Sequence, residues 1–294
     1  MSTENRTPRL AARSLIARFG FPHLLAMTLG LVAATILLGV AAIATGSGLA
    51  CEANWPQCDA GPWNLFPANI PSFYEWIHRF VAMFAGFALI GSAVAAVRSP
   101  SIDRNVAALV ILGMLLTPVQ VYLGRETVLQ YQMDILSLHF WMAVLIFSMY
   151  VVATTLVWKS KLSVTHVTGA LGLGLLSLPF HIALSPTDIG LVTSYTPTIQ
   201  LVQYGVTLSL LASVIVATMV GRWTIDDRRL LGLLAGSTVL AFAVAYLGRR
   251  AVMTFSPVLD QLYIVGAVLL AVAFVIGISR SRSAADGGRE TRPL

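Results

Sequence analysis

Apolar residues run through this chain in eight long segments, separated by short polar or basic stretches. Each segment is about twenty residues long, the length that an α-helix needs to cross the hydrocarbon core of a bilayer. The pattern therefore predicts an all-α integral membrane protein with eight transmembrane helices. The predicted spans are Phe21–Ala44, Phe73–Val97, Val106–Leu123, Leu136–Val157, Val167–Leu184, Thr198–Val220, Leu230–Leu247 and Val258–Ile278.

The amino-acid composition also indicates a membrane protein. Of the 294 residues, 57% are hydrophobic and 11% are charged, whereas a typical soluble domain has about 25% charged residues. The net charge of +6 does not indicate a nucleic-acid-binding surface, because the basic residues are spread among short loops. We therefore expect contact with membrane lipid and no binding of nucleic acid.

The basic residues predict the orientation of the helices in the membrane. Most of them fall in connections on one side, which the positive-inside rule assigns to the cytoplasm. Both termini fall on that side, and we expect 281–294 to be a disordered cytoplasmic tail. No signal-peptide cleavage pattern follows the basic N-terminus, so a multi-pass protein of the plasma membrane is predicted. The basic residues of the predicted cytoplasmic loops are Arg98, Arg104, Lys159, Lys161, Arg222, Arg228 and Arg229.

The longest predicted outer loop, Thr45–Ser72, contains both cysteines of the chain, Cys51 and Cys58. The outer side of the membrane is oxidising, so we expect these cysteines to form a disulfide. For an isolated pair so close in sequence, the simplest role is to hold the loop together. A redox role stays open, because exposed disulfides can be labile.

The second half of the chain repeats the first half weakly. Tyr122-Leu123-Gly124-Arg125 in the third predicted helix recurs as Tyr246-Leu247-Gly248-Arg249 in the seventh. Each half holds four helices and so has the same orientation, as in parallel repeats. We expect two tandem four-helix bundles, residues 1–160 and 161–280. A weaker echo relates Thr45-Gly46-Ser47-Gly48-Leu49 to Thr187-Asp188-Ile189-Gly190-Leu191.

The two halves differ in the side chains that can carry chemistry. The first half has Glu75, His78 and His139, together with the cysteine loop. The second half has no cysteine, and its His181 has no first-half counterpart. We therefore expect the first half to hold the functional site and the second half to be degenerate. The second-half residues that align with Glu75, His78 and His139 are Gln200, Gln203 and Tyr263.

Glu75, His78 and His139 are candidates for one site. Glu75 and His78 are three residues apart, so they share one face of a helix. Ionisable side chains inside a membrane span are costly and indicate function by default. His78 and His139 each lie a few residues inside helices that begin on the outer side, so the two histidines are predicted to lie at similar depth.

Two histidines at one depth on facing helices can hold a flat macrocycle from both faces, and histidine is a common axial ligand of haem iron. Zinc fits less well, because it needs about four N, S or O ligands. Arg79 and Arg125, near the outer surface, are suited to pair with haem propionates. The simpler alternative is that His78 only hydrogen-bonds to a neighbouring helix, but the depth-matched pair together with Glu75 favours haem-iron ligation.

Several motifs of the first half resemble those of the haem A synthase family. The resemblance is good over residues 1–160 and extends further only through the topology and the repeat. In the family's order, the motifs are Thr45-Gly46-Ser47-Gly48-Leu49-Ala50-Cys51, Trp55-Pro56-Gln57-Cys58, Glu75-Trp76-Ile77-His78-Arg79, Tyr122-Leu123-Gly124 and Leu138-His139-Phe140.

Members of this family oxidise one ring methyl group of haem O to a formyl group, which yields haem A for terminal oxidases. The resemblance implies that Glu75 is the catalytic carboxylate and that His78 and His139 ligate the substrate haem. It also links Cys51 and Cys58 to redox function. Haem O is the implied substrate, haem b is the alternative ligand, and haem O synthase and terminal oxidase subunits are candidate partners. No residue pattern points to a particular electron donor.

The chain departs from the family in its second half. Many relatives carry a second histidine pair that holds a haem b cofactor, whereas this chain has Gln203 and Tyr263, so no second haem is expected. Relatives often carry a basic residue just before the Thr-Gly-Ser-Gly run, where this chain has Ile43-Ala44.

The missing histidine pair leaves a second class of function open, a non-catalytic haem-binding membrane protein. Such a protein would be an electron-transfer cytochrome or an oxidase assembly factor. Glu75 favours the enzyme, because ligation by two histidines alone needs no carboxylate one helical turn away. The repeat would also suit a transporter, but the chain lacks charged residues at the predicted midplane.

Overall fold

The computed structural model describes residues 20–51, 54–55, 58, 66–67, 69–187, 190–254 and 256–290, with side chains left aside at 251–254 and 285–290. Its long helices, in chain order, are α1 (Phe21–Ala44), α2 (Ile70–Arg98), α3 (Arg104–Leu129), α4 (Met133–Val157), α5 (Val164–Ala183), α6 (Pro197–Thr224), α7 (Arg228–Thr254) and α8 (Pro257–Glu290). All eight are long and apolar enough to cross a membrane, which confirms the all-α transmembrane prediction. The basic N-terminal residues and the end of the tail lie outside the described ranges.

Most helices extend beyond the predicted spans, because polar capping residues lie outside the apolar segments. Helix α2 begins at Ile70 rather than at Phe73, since the side chain of Asn69 accepts a hydrogen bond from the backbone N–H of Ser72 at 2.9 Å. Helix α3 begins directly after Asp103, whose carboxylate caps the backbone of Asn105 in the same way. Helix α8 continues to Glu290, past the predicted end at Ile278 and into the segment expected to be disordered.

The helices form two closed groups of four. In the first half, contacts run from α1 to α2, α2 to α3, α3 to α4 and α4 back to α1. The second half repeats this pattern through α5, α6, α7 and α8. Each half therefore has the arrangement of a four-helix bundle.

Small and hydroxyl-bearing residues bring the helices close together within each bundle, as is common in membranes. Between α1 and α2, the hydroxyls of Thr28 and Ser92 lie 3.0 Å apart. Between α6 and α7, the hydroxyls of Thr218 and Thr238 lie 2.8 Å apart. Between α3 and α4, Gly113 faces the ring of Tyr150 so closely that a Cβ would lie 2.8 Å from it.

Helix α6 joins the two bundles, because it contacts α1 and α4 of the first half as well as α5 and α7 of its own half. It is also the most buried of the eight helices, with 56% of its apolar window inside the protein. At the end of this interface, Tyr204 of α6 meets Phe140 of α4 edge to face at 5.2 Å. Trp141 of α4 also contacts Tyr246 of α7 at 5.9 Å.

Candidate functional site

A cavity of about 390 Å³ lies among the four helices of the first half. Glu75, His78 and His139 all line it, so the structure brings these three sequence-predicted residues to one site. A volume of a few hundred Å³ is typical of small-molecule sites. The lining also includes Trp55 from the cysteine loop and Arg249 from α7 of the second half.

His78 of α2 is held by α1. Its Nδ1 lies 3.0 Å from the backbone carbonyl oxygen of Thr35. A carbonyl only accepts, so Nδ1 carries the proton and the lone pair of Nε2 is left for a ligand. Gly39, one helical turn further along α1, lies so close to the ring that a Cβ would be 3.0 Å from Cε1. The imidazole of His78 therefore occupies space that a larger side chain at position 39 would take.

His139 of α4 is held in a similar way by α3. A Cβ at Gly124 would lie 3.0 Å from Cε1 of its ring. The side-chain amide nitrogen of Gln120, one turn before Gly124, lies 3.3 Å from Nε2 of His139. Nδ1 of His139 and Oε1 of Gln120 are both buried without a hydrogen-bond partner among the described atoms. The sequence reasoning missed Gln120, whose spacing of one turn before Gly124 was the available signal.

Glu75 is buried and ion-paired. Its carboxylate accepts a hydrogen bond from Nε of Arg79, one turn later on α2, at 2.9 Å. Nη1 of Arg79 also donates to the backbone carbonyl of Asn54 in the cysteine loop at 3.1 Å. Arg79 therefore connects the carboxylate on the cavity wall to the loop that precedes α2.

The cysteine loop is closed by a disulfide between Cys51 and Cys58, as expected from the sequence. Both cysteines are buried. The backbone N–H of Asn54 donates to the carbonyl of Cys51 at 2.8 Å, and the next residue, Trp55, lines the cavity. The bridge thus belongs to the segment that positions Trp55 and the Asn54 carbonyl. Pro56 and Gln57 of the same motif lie outside the described residues.

Arg125 does not reach the cavity. Its side chain is 44% exposed and its Nη1 donates to Glu126 at 2.5 Å. The cavity instead receives Arg249, which occupies the same place in the repeated Tyr-Leu-Gly-Arg motif. Each arginine directly follows the glycine of its motif. Arg249 lines the first-half cavity as well as the small region of its own half, which the sequence could not reveal.

The matching region of the second half is almost filled by protein. Only about 20 Å³ is open there, close to the space that one water needs. The ring of Tyr263 stands where His139 stands in the first half, against Gly248, with 2.9 Å to a Cβ built on that glycine. Gln203, at the position of His78, donates to the carbonyl of His181 at 3.1 Å and accepts from the hydroxyl of Tyr195.

His181 also lines the small open region of the second half. Counted back from the echoed threonines Thr45 and Thr187, His181 stands at the repeat position of Gly39. Its Nδ1 lies 2.8 Å from the hydroxyl of Thr207, and its ring meets Tyr263 edge to face at 5.7 Å. A glycine in α1 and a histidine in α5 thus hold matching repeat positions, the glycine on the wall of the open cavity and the histidine beside the small region.

The donor set of the first-half cavity fits a flat, two-sided metal complex better than a bare metal ion. In the part of the chain that the structure describes, no three His, Cys, Asp or Glu side chains converge on one metal position. Two imidazoles, each resting on a glycine, and buried polar atoms without partners at Gln120 and His139 instead line one cavity. These features suit a porphyrin that brings its own four nitrogen ligands.

Comparison with known proteins agrees with the motifs of the first half. Residues 64–187 match the family model described as cytochrome oxidase assembly protein. Over 128 residues the chain is 29% identical to the haem A synthase of Bacillus licheniformis, which covers 42% of this chain and 41% of the relative. Over 164 residues it is 29% identical to the haem A synthase of Bacillus pumilus, covering 54% of this chain and 52% of the relative.

A second group of relatives has a different name. Over 92 residues the chain is 36% identical to the protohaem IX farnesyltransferase of Halobacterium salinarum, covering 31% of this chain and 20% of the relative. The chain therefore matches about half or less of the length of each of these three relatives. The family model and the haem A synthases confirm the resemblance carried by the motifs, so over these residues the chain is similar to the haem A synthase family.

Proposed function

We propose that this protein is a haem A synthase that oxidises a ring methyl group of haem O to a formyl group in the first-half cavity. One observation carries the proposal: Glu75, His78 and His139 line a single cavity of about 390 Å³. The family match supports the reaction class. The matches to protohaem IX farnesyltransferases support a haem-related substrate.

In this proposal, His78 and His139 hold the haem iron from its two faces. The hydrogen bond from His78 to the carbonyl of Thr35 fixes the ring and leaves Nε2 for the iron, a common arrangement around metal-binding histidines. Ligation through Nε2 of His139 requires the amide of Gln120 to turn away from that nitrogen. When bound, haem O would supply both the iron that the two histidines hold and the ring methyl group that is oxidised.

Glu75 is proposed to act as the general base that accepts the proton released during oxidation. It lies one helical turn from His78, on the wall of the same cavity. A buried carboxylate can act as a general base when its partner keeps it oriented, and Arg79 does this at 2.9 Å. The carbonyl of Asn54 in turn holds Arg79, so the cysteine loop contributes to the position of Glu75.

We also propose that a single haem, in the first half, is sufficient for the protein's function. The support is the second-half region, where about 20 Å³ is open and where the side chains of Gln203 and Tyr263 both donate to the backbone carbonyl of His181. The same observation favours the second candidate, a non-catalytic haem-binding membrane protein, because this region of the described residues is too small for an electron-entry haem.

One experiment separates the two candidates. The full chain is expressed in a host that makes haem O but has no other haem A synthase, and extracted haem is analysed for the formyl-bearing product. Wild type should yield haem A. Glu75→Gln should retain bound haem but accumulate haem O or a partly oxidised product, because the variant cannot take the proton.

Glu126→Gln is the matched control. Glu126 is as buried as Glu75, with 7% of each residue exposed, and it is also paired with an arginine, but it does not line the cavity. The control should make haem A normally. Bound haem without any formyl product in the wild type would favour a cytochrome or assembly factor. Undiminished haem A in the Glu75 variant would remove that residue from the mechanism.

A further inference from the structure

Arg249 is a cation that the second half presents to the first-half cavity. It lies on α7, yet it lines the cavity formed by α1–α4. It also borders the small region around His181. Arg249 therefore stands in the wall between the two bundles.

The guanidinium of Arg249 is held in a defined position. Its Cζ lies 4.4 Å from the centroid of the Phe140 ring and 5.8 Å from that of the Tyr204 ring. Nη1 donates to the hydroxyl of Tyr204 at 2.5 Å. Phe140 directly follows His139 in sequence, so the group that supports Arg249 is attached to one of the two proposed iron ligands.

The charge of Arg249 is not balanced by a carboxylate in the part of the chain that the structure describes. Ion pairs among the described residues join Arg79 to Glu75, Arg125 to Glu126 and Arg280 to Asp227, and none of these three includes Arg249. Nε of Arg249 is buried with no hydrogen-bond partner among the described atoms. A guanidinium inside a membrane protein is costly without an anionic partner, so its place on a cavity wall points to an anion supplied by the ligand.

We propose that Arg249 binds a carboxylate of the ligand in the first-half cavity and so fixes the ligand's orientation. This inference rests on the proposed function, since haem carries two propionate carboxylates at one edge of its ring. Arginine binds carboxylates with paired N–H donors. Arg79 is already engaged by Glu75 and Asn54, whereas Arg249 has Nε available. The haem site is then completed by a residue of the bundle that lacks its own haem site.

Haem binding by the full chain in detergent tests the proposal without a measurement of catalysis. Protein produced under haem limitation is titrated with iron protoporphyrin IX and, separately, with its dimethyl ester, which lacks the negative charges. Wild type should prefer the diacid. Arg249→Gln should reduce that preference by roughly tenfold, as expected for loss of a charge-assisted hydrogen bond, and should leave the affinity for the ester within about twofold.

Arg125→Gln is the control, because Arg125 holds the same motif position but faces Glu126 outside the cavity. It should keep the wild-type preference. Arg249→Lys keeps the charge without the paired donors and should lose only part of the preference. If the glutamine variant does not fold, the lysine variant decides, since an unchanged preference in it would overturn the proposal.

The other outcomes are equally distinct. An equal loss of affinity for diacid and ester in Arg249→Gln would show that Arg249 only supports packing, and would overturn this inference alone. An unchanged preference in the glutamine variant would do the same. Failure of the wild type to bind either compound would overturn the proposed haem site itself, together with this inference.

Discussion

Gly39 lies directly against the imidazole of His78, so that a Cβ at position 39 would be 3.0 Å from Cε1 of the ring. Few real Cβ atoms approach a neighbour this closely. The contact lets α1 place its Thr35 carbonyl on Nδ1 of the same histidine. A glycine on one helix thereby determines where a histidine on the next helix can stand.

Gly39→Ala should weaken haem binding in the first half. The added methyl group must push the His78 ring away from Gly39 and strain its bond to Thr35. We expect affinity for haem to fall by roughly tenfold, the lower end of the effect seen when the surroundings of a metal ligand are disturbed. Titration followed by the haem absorbance band measures this.

Gly30→Ala is the control on the same helix, because nothing lies within 4 Å of a Cβ built at that position. It should bind haem as the wild type does. Wild-type affinity in the Gly39 variant would contradict the assignment of His78 as a ligand held by α1.

His181→Ala should destabilise the second half. The change removes a ring from a nearly filled region and also the hydrogen bond to Thr207. Deletion of large buried side chains costs roughly 2–5 kcal/mol, so thermal unfolding in detergent should begin at a clearly lower temperature. Haem affinity of the first half should stay within about twofold of the wild type, as its lining is unchanged.

His181→Phe separates the two causes. It retains a ring of similar size but loses the hydrogen bond, which is worth about 1 kcal/mol. The phenylalanine variant should therefore be more stable than the alanine variant. Loss of haem from the alanine variant would instead identify His181 as a ligand and would contradict the proposal of a single site in the first half.

The features predicted correctly from sequence are those that depend on the residues of one helix alone. Apolar length marked all eight spans, and the one-turn spacing of Glu75 and His78 placed both on one face. Helix ends were less accurate, because residues such as Asn69 cap a helix through side-chain hydrogen bonds that hydropathy does not register. Arg125 does not line the cavity, whereas Arg249 of the other bundle does, and this contact depends on how the two bundles meet.

Thiol labelling of intact cells tests both the disulfide and the side of the membrane on which it lies. Cys51 and Cys58 are joined, and the distribution of basic residues predicts that their loop faces outward. A membrane-impermeant maleimide should label the protein only after treatment with a reductant. A Cys51→Ser/Cys58→Ser variant, which cannot be labelled under either condition, provides the background.

Labelling of the wild type without reductant would show free thiols and contradict the disulfide. Labelling that requires permeabilised cells as well as reductant would place the loop on the cytoplasmic side and reverse the predicted orientation. The serine variant also reports on the loop's role, since Trp55 and the Asn54 carbonyl are positioned by the bridged segment.

The position of Arg249 has a consequence for the biosynthesis of the protein. Helices α1–α4 leave the ribosome and can enter the membrane before α7 has been translated, since domains generally begin to fold from the N-terminus. During that interval Arg249 is absent from the lining of the cavity. A nascent chain that ends after α4 therefore carries both histidines and Glu75 but not yet a closed site, and the last part of the pocket is added when the second bundle docks.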